Sequence, residues 1–203
     1  MKIKIVFTSA ILAAVMFACN SEKKADVVAV DSLGTEATYT ADTAASLIRW
    51  EGNMGGKFVY KHFGTLKISE GTFTAKGLQI TGGSFTANLK SINPTDSNYT
   101  EKTPRVGLIG HLGGADFFAV DSFPTATFVI KSVNGNSATG DLTLRGKTNS
   151  ETVTDIVVDT TAGVKATGKL VFNRQKYGVA YKAAKDLLLS DDITLDIALV
   201  GKK

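Results

Sequence analysis

From Tyr39 onward, apolar and polar residues alternate with a period of two. Ile48 and Trp50 share one face against Leu47, Arg49 and Glu51, and Leu66 and Ile68 alternate with Lys67 and Ser69. Phe85, Ala87 and Leu89 stand against Thr86, Asn88 and Lys90, and Phe128 and Ile130 against Val129 and Lys131. Leu142 and Leu144 follow the same rule with Asp141, Thr143 and Arg145, as do Leu170 and Phe172 around Val171. At the end of the chain, Ile193, Leu195 and Ile197 alternate with Thr194, Asp196 and Ala198. Successive side chains of a strand point to opposite faces, so this pattern predicts half-buried antiparallel strands.

Turn-forming residues punctuate the pattern at Glu70-Gly71, Gly82-Gly83, Asn134-Gly135-Asn136, Ala162-Gly163 and Ser190-Asp191-Asp192. A short echo, Gly-Thr-Phe-Thr-Ala at 71–75 and Gly-Ser-Phe-Thr-Ala at 83–87, has the pitch of a meander. Alternation fails in two places. Asp96 to Gly114 lacks it, with Ser97 to Val106 read as a short helix or ordered loop, and Lys182 to Leu189 has room for a helical turn or two. Both interruptions suit covers at the end of a barrel. About eight strands in one domain fit a closed antiparallel barrel better than a sandwich, because closure leaves no exposed edge. Period alone does not say whether the interior is filled or holds a ligand.

One stretch is unusual. Gly110 to Phe128 holds His111, Asp116, Phe117, Phe118 and Pro124, and with Phe123 and Phe128 it carries four of the phenylalanines. It contains no nucleophile–base pair or metal-ligand spacing, and it reads as an aromatic wall leading from an irregular cover into a strand that starts the lining.

Composition changes the picture little. The 203 residues are 43% hydrophobic and 21% charged, with Gly 20 and Pro 3, which suits strands joined by tight turns. The formal charge of +4 includes Lys2 and Lys4 of the leader, and no basic cluster with interleaved aromatics appears, so nucleic acid is set aside.

The N-terminus is more informative. Lys2 and Lys4 precede an apolar run from Ile5 through Phe17, too short to span a bilayer, and Ala18-Cys19 follows. This resembles a bacterial lipoprotein signal over 1–18, cleaved before Cys19. Cys19 is the single cysteine, which excludes an intramolecular disulfide and leaves lipidation as its use. Residues 19–37 then read as a lipidated tether and 38–203 as the barrel domain. The expected location is the bacterial cell envelope, anchored to a membrane by acyl chains, with the domain in the periplasm or at the cell surface.

Other motifs dissolve on inspection. Gly140 to Thr148 has one residue too many for a phosphate-binding loop, and the Leu142/Leu144 alternation makes it a strand. Gly107, Gly110, Gly113 and Gly114 read as loop punctuation. His62 and His111, even with Asp116, fall short of a structural zinc set, and no Gly-x-Ser-x-Gly elbow is present. No metal and no cofactor is expected. Arg174 reads either as a surface charge or as an ion-pair partner of Asp186, Asp191 or Asp192.

Several fragments together resemble the YceI-like family of polyisoprenoid-binding periplasmic proteins. They are Trp50 in Leu-Ile-Arg-Trp, His62-Phe63-Gly64 with Gly71, His111-Leu112 with Ala115-Asp116-Phe117-Phe118, and Phe123-Pro124-Thr125-Ala126-Thr127-Phe128. Thr139 through Thr148 and Phe172 through Val179 complete the set. The resemblance implies an all-β, single eight-stranded antiparallel lipocalin-like barrel whose apolar tunnel takes an isoprenoid chain, and it does not imply an enzyme.

The expected function is therefore binding of a long apolar lipid, of polyisoprenoid or isoprenoid quinone type, for carriage or sequestration. Alternation assigns the lining to Trp50, Phe73, Phe85, Leu89, Phe128, Ile130, Leu142, Leu144, Leu170, Phe172, Ile193 and Leu195. His62, His111, Asp116 and Phe117 are candidates for the rim or a head-group contact. Two alternatives stay open: an envelope enzyme acting on a lipid through His62 or His111, and a filled structural barrel. Self-association as a homodimer also stays open.

Overall fold

The computed structural model describes residues 34–56, 59–182 and 187–203. The leader, Cys19 and the tether as far as residue 33 lie outside the described residues. The strands are β1 (Ala37–Ala41), β2 (Leu47–Gly56), β3 (Tyr60–Lys76), β4 (Gln79–Pro94), β5 (Thr125–Asn134), β6 (Ser137–Leu144), β7 (Lys147–Asp159), β8 (Val164–Asn173) and β9 (Leu187–Lys202). One helix, α1 (Arg105–Gly113), lies between β4 and β5, and a single 3-10 turn, Arg174–Tyr177, follows β8.

Every strand from β2 to β9 pairs antiparallel with the next, and β9 returns to pair with β2, closing an eight-stranded barrel. The additional strand β1 is an extension of β2. It pairs β3 at Phe73 and β9 at Gly201, while β2 pairs the same two neighbours at Lys67 and Ala198. The two form one strand position broken at residues 42–46. The break stays bonded, because Val200 N–H donates to Ser46 Oγ at 3.0 Å and accepts Asp42 N–H on its carbonyl at 2.7 Å.

The two ends differ. One carries the hairpins after β3, β5 and β7. The other carries α1, the 3-10 turn and the tight β6–β7 hairpin, whose Arg145 and Gly146 both have positive φ (52° and 71°). A two-residue loop with positive φ at both positions matches the twist of its strands.

Three expected turns are corrected. Glu70-Gly71 lies inside β3, Gly82-Gly83 inside β4 and Ser190-Asp191-Asp192 inside β9. Glycine within a strand marks a bulge or a close approach as readily as a turn. The β3–β4 register slips between Ile68 and Glu70, and the three-residue segment of β9 sits where Gly52 and Met54 face Ile193 and Leu189. The 71–75 and 83–87 echo has a physical meaning here. Gly71 stands opposite Phe85 and Phe73 opposite Gly83, so each segment's glycine faces the other's phenylalanine. A Cβ on Gly71 would lie 2.6 Å from Phe85, and one on Gly83 would lie 3.2 Å from Phe73.

The covers are also redrawn. The helix runs Arg105–Gly113, later than the expected Ser97 to Val106, so Gly107, Gly110 and Gly113 are helical and Gly114 caps the end. Glycine opposes helix formation. Here burial of Leu112 and the inward facing of Leu108 and His111, spaced for one helix face, override propensity. Of the expected helical turn at Lys182 to Leu189, residues 187–189 belong to β9, and 183–186 lie outside the described residues.

Phe73 is fully buried at the hairpin end, stacked on Tyr39 at 5.4 Å and tilted against Phe85 at 6.4 Å. It plugs the barrel. Phe73→Ala is expected to cost about 3–5 kcal/mol of stability. Urea denaturation measures it, and a loss below about 1 kcal/mol would show that the ring is no plug.

Candidate functional site

Closing the sheet turns one face of every strand inward and leaves an apolar cavity of about 380 Å³ along the barrel. That is within the range of ligand pockets, roughly 300–1,000 Å³. The interior is therefore not filled with side chains. Of the residues chosen by alternation, Trp50, Phe85, Leu89, Phe128, Ile130, Leu142, Leu144, Leu170, Phe172, Ile193 and Leu195 all line this space. Phe73 does not, because Tyr39 and Phe85 enclose it below the cavity floor.

His62, His111 and Phe117 line the cavity at the covered end. Asp116 is exposed and takes no part, because it precedes the buried Phe117 in the turn after α1 and faces away from the cavity. Further lining comes from Ile48, Leu66 and Ile68, whose alternation is plain in the sequence, and from Met54, Leu108 and Tyr181. Met54 stands in a glycine-rich run and Tyr181 beyond a turn, where no period marks them.

The cover is an aromatic cluster. The His111 ring lies 4.4 Å from Tyr181 and 5.4 Å from Phe117, and Phe117 meets Phe118 edge-on at 4.9 Å. Arginines fasten it. Arg105 Nε donates to the Pro94 carbonyl at 2.6 Å, tying α1 to the end of β4. Arg145 donates to the carbonyls of Gly178 and Ala115, linking the β6–β7 hairpin to both covers. Arg174 is buried, not a surface charge: it donates to Ser190 and Val179 carbonyls and pairs with Asp191 at 2.9 Å. Tyr177, also fully buried, donates to Glu151 at 3.0 Å. Burial and the Glu151 carboxylate both push its hydroxyl pKa up, so it stays a donor.

One polar centre in the rim had no local signal in the sequence. Asp96, just past β4, is buried and accepts from Tyr99 Oη at 2.6 Å, Asn98 N–H at 3.0 Å and Phe63 N–H at 3.3 Å. His62 Nδ1 lies 3.2 Å from both of its oxygens. Burial alone would raise the Asp96 pKa, but these donors more than offset it and hold the carboxyl below the ordinary aspartate value of 3.8. The same pair works oppositely on Tyr99, whose hydroxyl is pushed up by burial and by Asp96.

Among the described residues, no Asp, Glu, Lys or Arg lines the cavity, and no group of three metal-ligating side chains is present. The cavity is an apolar container with two imidazoles at its covered end.

Comparison with known proteins agrees with this architecture. The YceI-like domain model matches residues 39–201. A UPF0312 protein of Staphylococcus aureus strain USA300 is 35% identical over 96 residues, covering 42% of this chain and 56% of that protein. The chain thus matches little more than half the length of that relative. The crystal structure of Burkholderia cenocepacia BcnA superposes with a TM-score of 0.56 at 20% identity, covering 80% of this chain and 99% of that one. A Campylobacter jejuni YCEI protein gives 0.44 at 21% identity, over 62% and 74% of the two chains.

Asp96 yields a prediction with a definite sign. A carboxyl whose pKa is depressed by folding adds stability above its unfolded value, and that contribution is lost as pH falls through the folded value. Asp96→Asn is expected to be less stable by about 1–3 kcal/mol at pH 7. The gap should shrink on acidification below about pH 4. Urea denaturation across that range checks it, and a gap that widens towards low pH would refute the assignment.

Proposed function

The chain belongs to the YceI-like domain family, and from that premise we propose that its barrel is a binding module for a long apolar lipid. The ligand is of polyisoprenoid or isoprenoid quinone type, held for carriage or sequestration rather than chemically altered. One observation carries the reading: an apolar cavity of about 380 Å³ runs inside the barrel with no charged lining among the described residues.

Energetics define what such binding can achieve. Moving one five-carbon isoprene unit from water into the cavity gains on the order of 3–4 kcal/mol. A tail already dissolved in a membrane is dry, so most of that gain cancels. Selectivity then rests on cavity shape and on the mouth. Exposed apolar side chains at the covered end suit exchange with a lipid surface: Val59, Val106 and Leu188 are 87%, 72% and 70% exposed. Such residues are costly in water and settle readily in an interface.

Membrane attachment through Cys19 belongs to the same reading. A diacylglyceryl group on that thiol, with or without a third acyl chain on the α-amino group, would hold the protein on a membrane of the cell envelope, since stable anchoring takes more than one chain.

Native mass spectrometry of protein purified in mild detergent is expected to show a stoichiometric prenyl-sized adduct. Ala126 and Ala87 face each other across β5 and β4, and both line the cavity. Ala126→Phe fills that space and is expected to lower adduct occupancy at least about tenfold while the circular-dichroism spectrum is kept. Native protein without any adduct would sink the proposal. For the anchor, radioactive fatty acid should label the native chain and not Cys19→Ser; a labelled Cys19→Ser protein would refute it.

A further inference from the structure

The two imidazoles at the mouth are not equivalent. His111 sits between the rings of Phe117 and Tyr181, with no hydrogen-bond partner among the described residues. His62 is built into a polar frame. It is the third residue of β3, on the inner face with Tyr60, opposite Gly52 of β2. Tyr60 meets its ring edge-on at 5.3 Å and Tyr99 stacks on it at 5.8 Å with the planes 17° apart. Its orientation is thereby set.

Its protonation pattern is set as well. The Asp96 side chain is 1% exposed and already accepts three other hydrogen bonds. A carboxylate only accepts, so the Nδ1 that faces it carries the proton. The remaining polar atom of the ring is Nε2, which has no partner among the described residues. The side chain keeps 21% of its exposure and lines the cavity.

We propose that His62, oriented by Asp96, is the head-group contact of the cavity, and that the head group it takes is a neutral hydroxyl, as on a long-chain prenol or a quinol. This rests on the reading of the barrel as a lipid-binding module. A hydroxyl both donates and accepts, so it satisfies Nε2 whether the ring is neutral or an imidazolium. A carbonyl satisfies only the imidazolium.

A diphosphate or carboxylate fares worse. Among the described residues no Lys or Arg lines the cavity, and the charge of an imidazolium at His62 would already be matched by Asp96. A second anion there would be a partly desolvated charge with no matching cation among the described lining residues, which is unfavourable. The Asp96–His62 pair thus selects for a protic, uncharged end on an apolar tail.

Chain-matched ligands test this. Trp50 is the single tryptophan and lines the cavity, so its fluorescence reports binding. The probes are geranylgeraniol, its methyl ether and its diphosphate. The native protein is expected to bind the alcohol about three- to tenfold tighter than the ether, the worth of one hydrogen bond, and the diphosphate weakest. His62→Phe keeps an aromatic ring and is expected to bind alcohol and ether equally, whatever its absolute affinity for either; His111→Phe should keep the preference.

Equal binding of alcohol and ether by the native protein would overturn the inference while leaving the lipid-binding reading intact. So would a preference that survives His62→Phe, or tightest binding of the diphosphate. Failure of all three probes to bind would remove the lipid-binding reading and this inference with it. The native comparison needs no variant, so the inference is exposed even if His62→Phe folds poorly.

Discussion

Closure of β9 onto β2 is the constraint on which the rest depends. Until the last strand meets the first, the sheet has two open edges and its apolar face has nothing to cover it. Once closed, each strand is paired on both sides and every inward position is fixed, because a slip of one residue would turn a whole strand inside out. The weak point of the seam is the break between β1 and β2. There Ser46 and Asp42 bond to Val200, so the backbone of β9 finds partners across the gap. Lys202 adds an ion pair to Asp42 at 3.0 Å. A buried serine, 3% exposed, stands in for a strand residue at the join.

The two ends then solve different problems. The hairpin end is sealed by rings, with Phe73 set into room left by Gly83 and Gly201. The other end is sealed by a short helix and loops that have no sheet to hold them. Arginines take over that task, joining carbonyls at the ends of elements that are distant in sequence. Arg145 reaches both Ala115 and Gly178, and Arg174 reaches Val179, Ser190 and Asp191. Guanidinium suits this because it offers several donors in a fixed plane. The cover thus combines these directed bonds with apolar side chains, Leu112, Phe117, Phe118, Tyr177 and Val179, that join the barrel's core.

Much of this was legible in the sequence because period two is a local property. Strand faces from Ile48 to Ile197 read correctly, and with them nearly all the lining. Legibility ended where meaning depends on a partner. Gly71 and Gly83 look like turns until Phe85 and Phe73 are seen opposite them. Phe73 has the same alternation as the lining residues, and only its depth sets it apart. The glycine-rich helix has poor propensity and exists because Leu108 and Leu112 close the mouth. Asp96 lies in a stretch without alternation, and its importance appears only when β3 brings His62 to it. The resemblance to a known family supplied the hollow interior, which no pattern of faces could.

The chain joins this barrel at the hairpin end. Gly34 packs on Gly77, Glu36 accepts a hydrogen bond from Thr81, and Ala37 opens β1 beside Ala75. Residues 34–37 thus belong to the barrel floor and not to a tether. The mouth, with Val59, Val106 and Leu188, is at the opposite pole. Gly34, where the described chain begins, and the mouth therefore lie on opposite sides of the barrel, as the handle and the bowl of a ladle do.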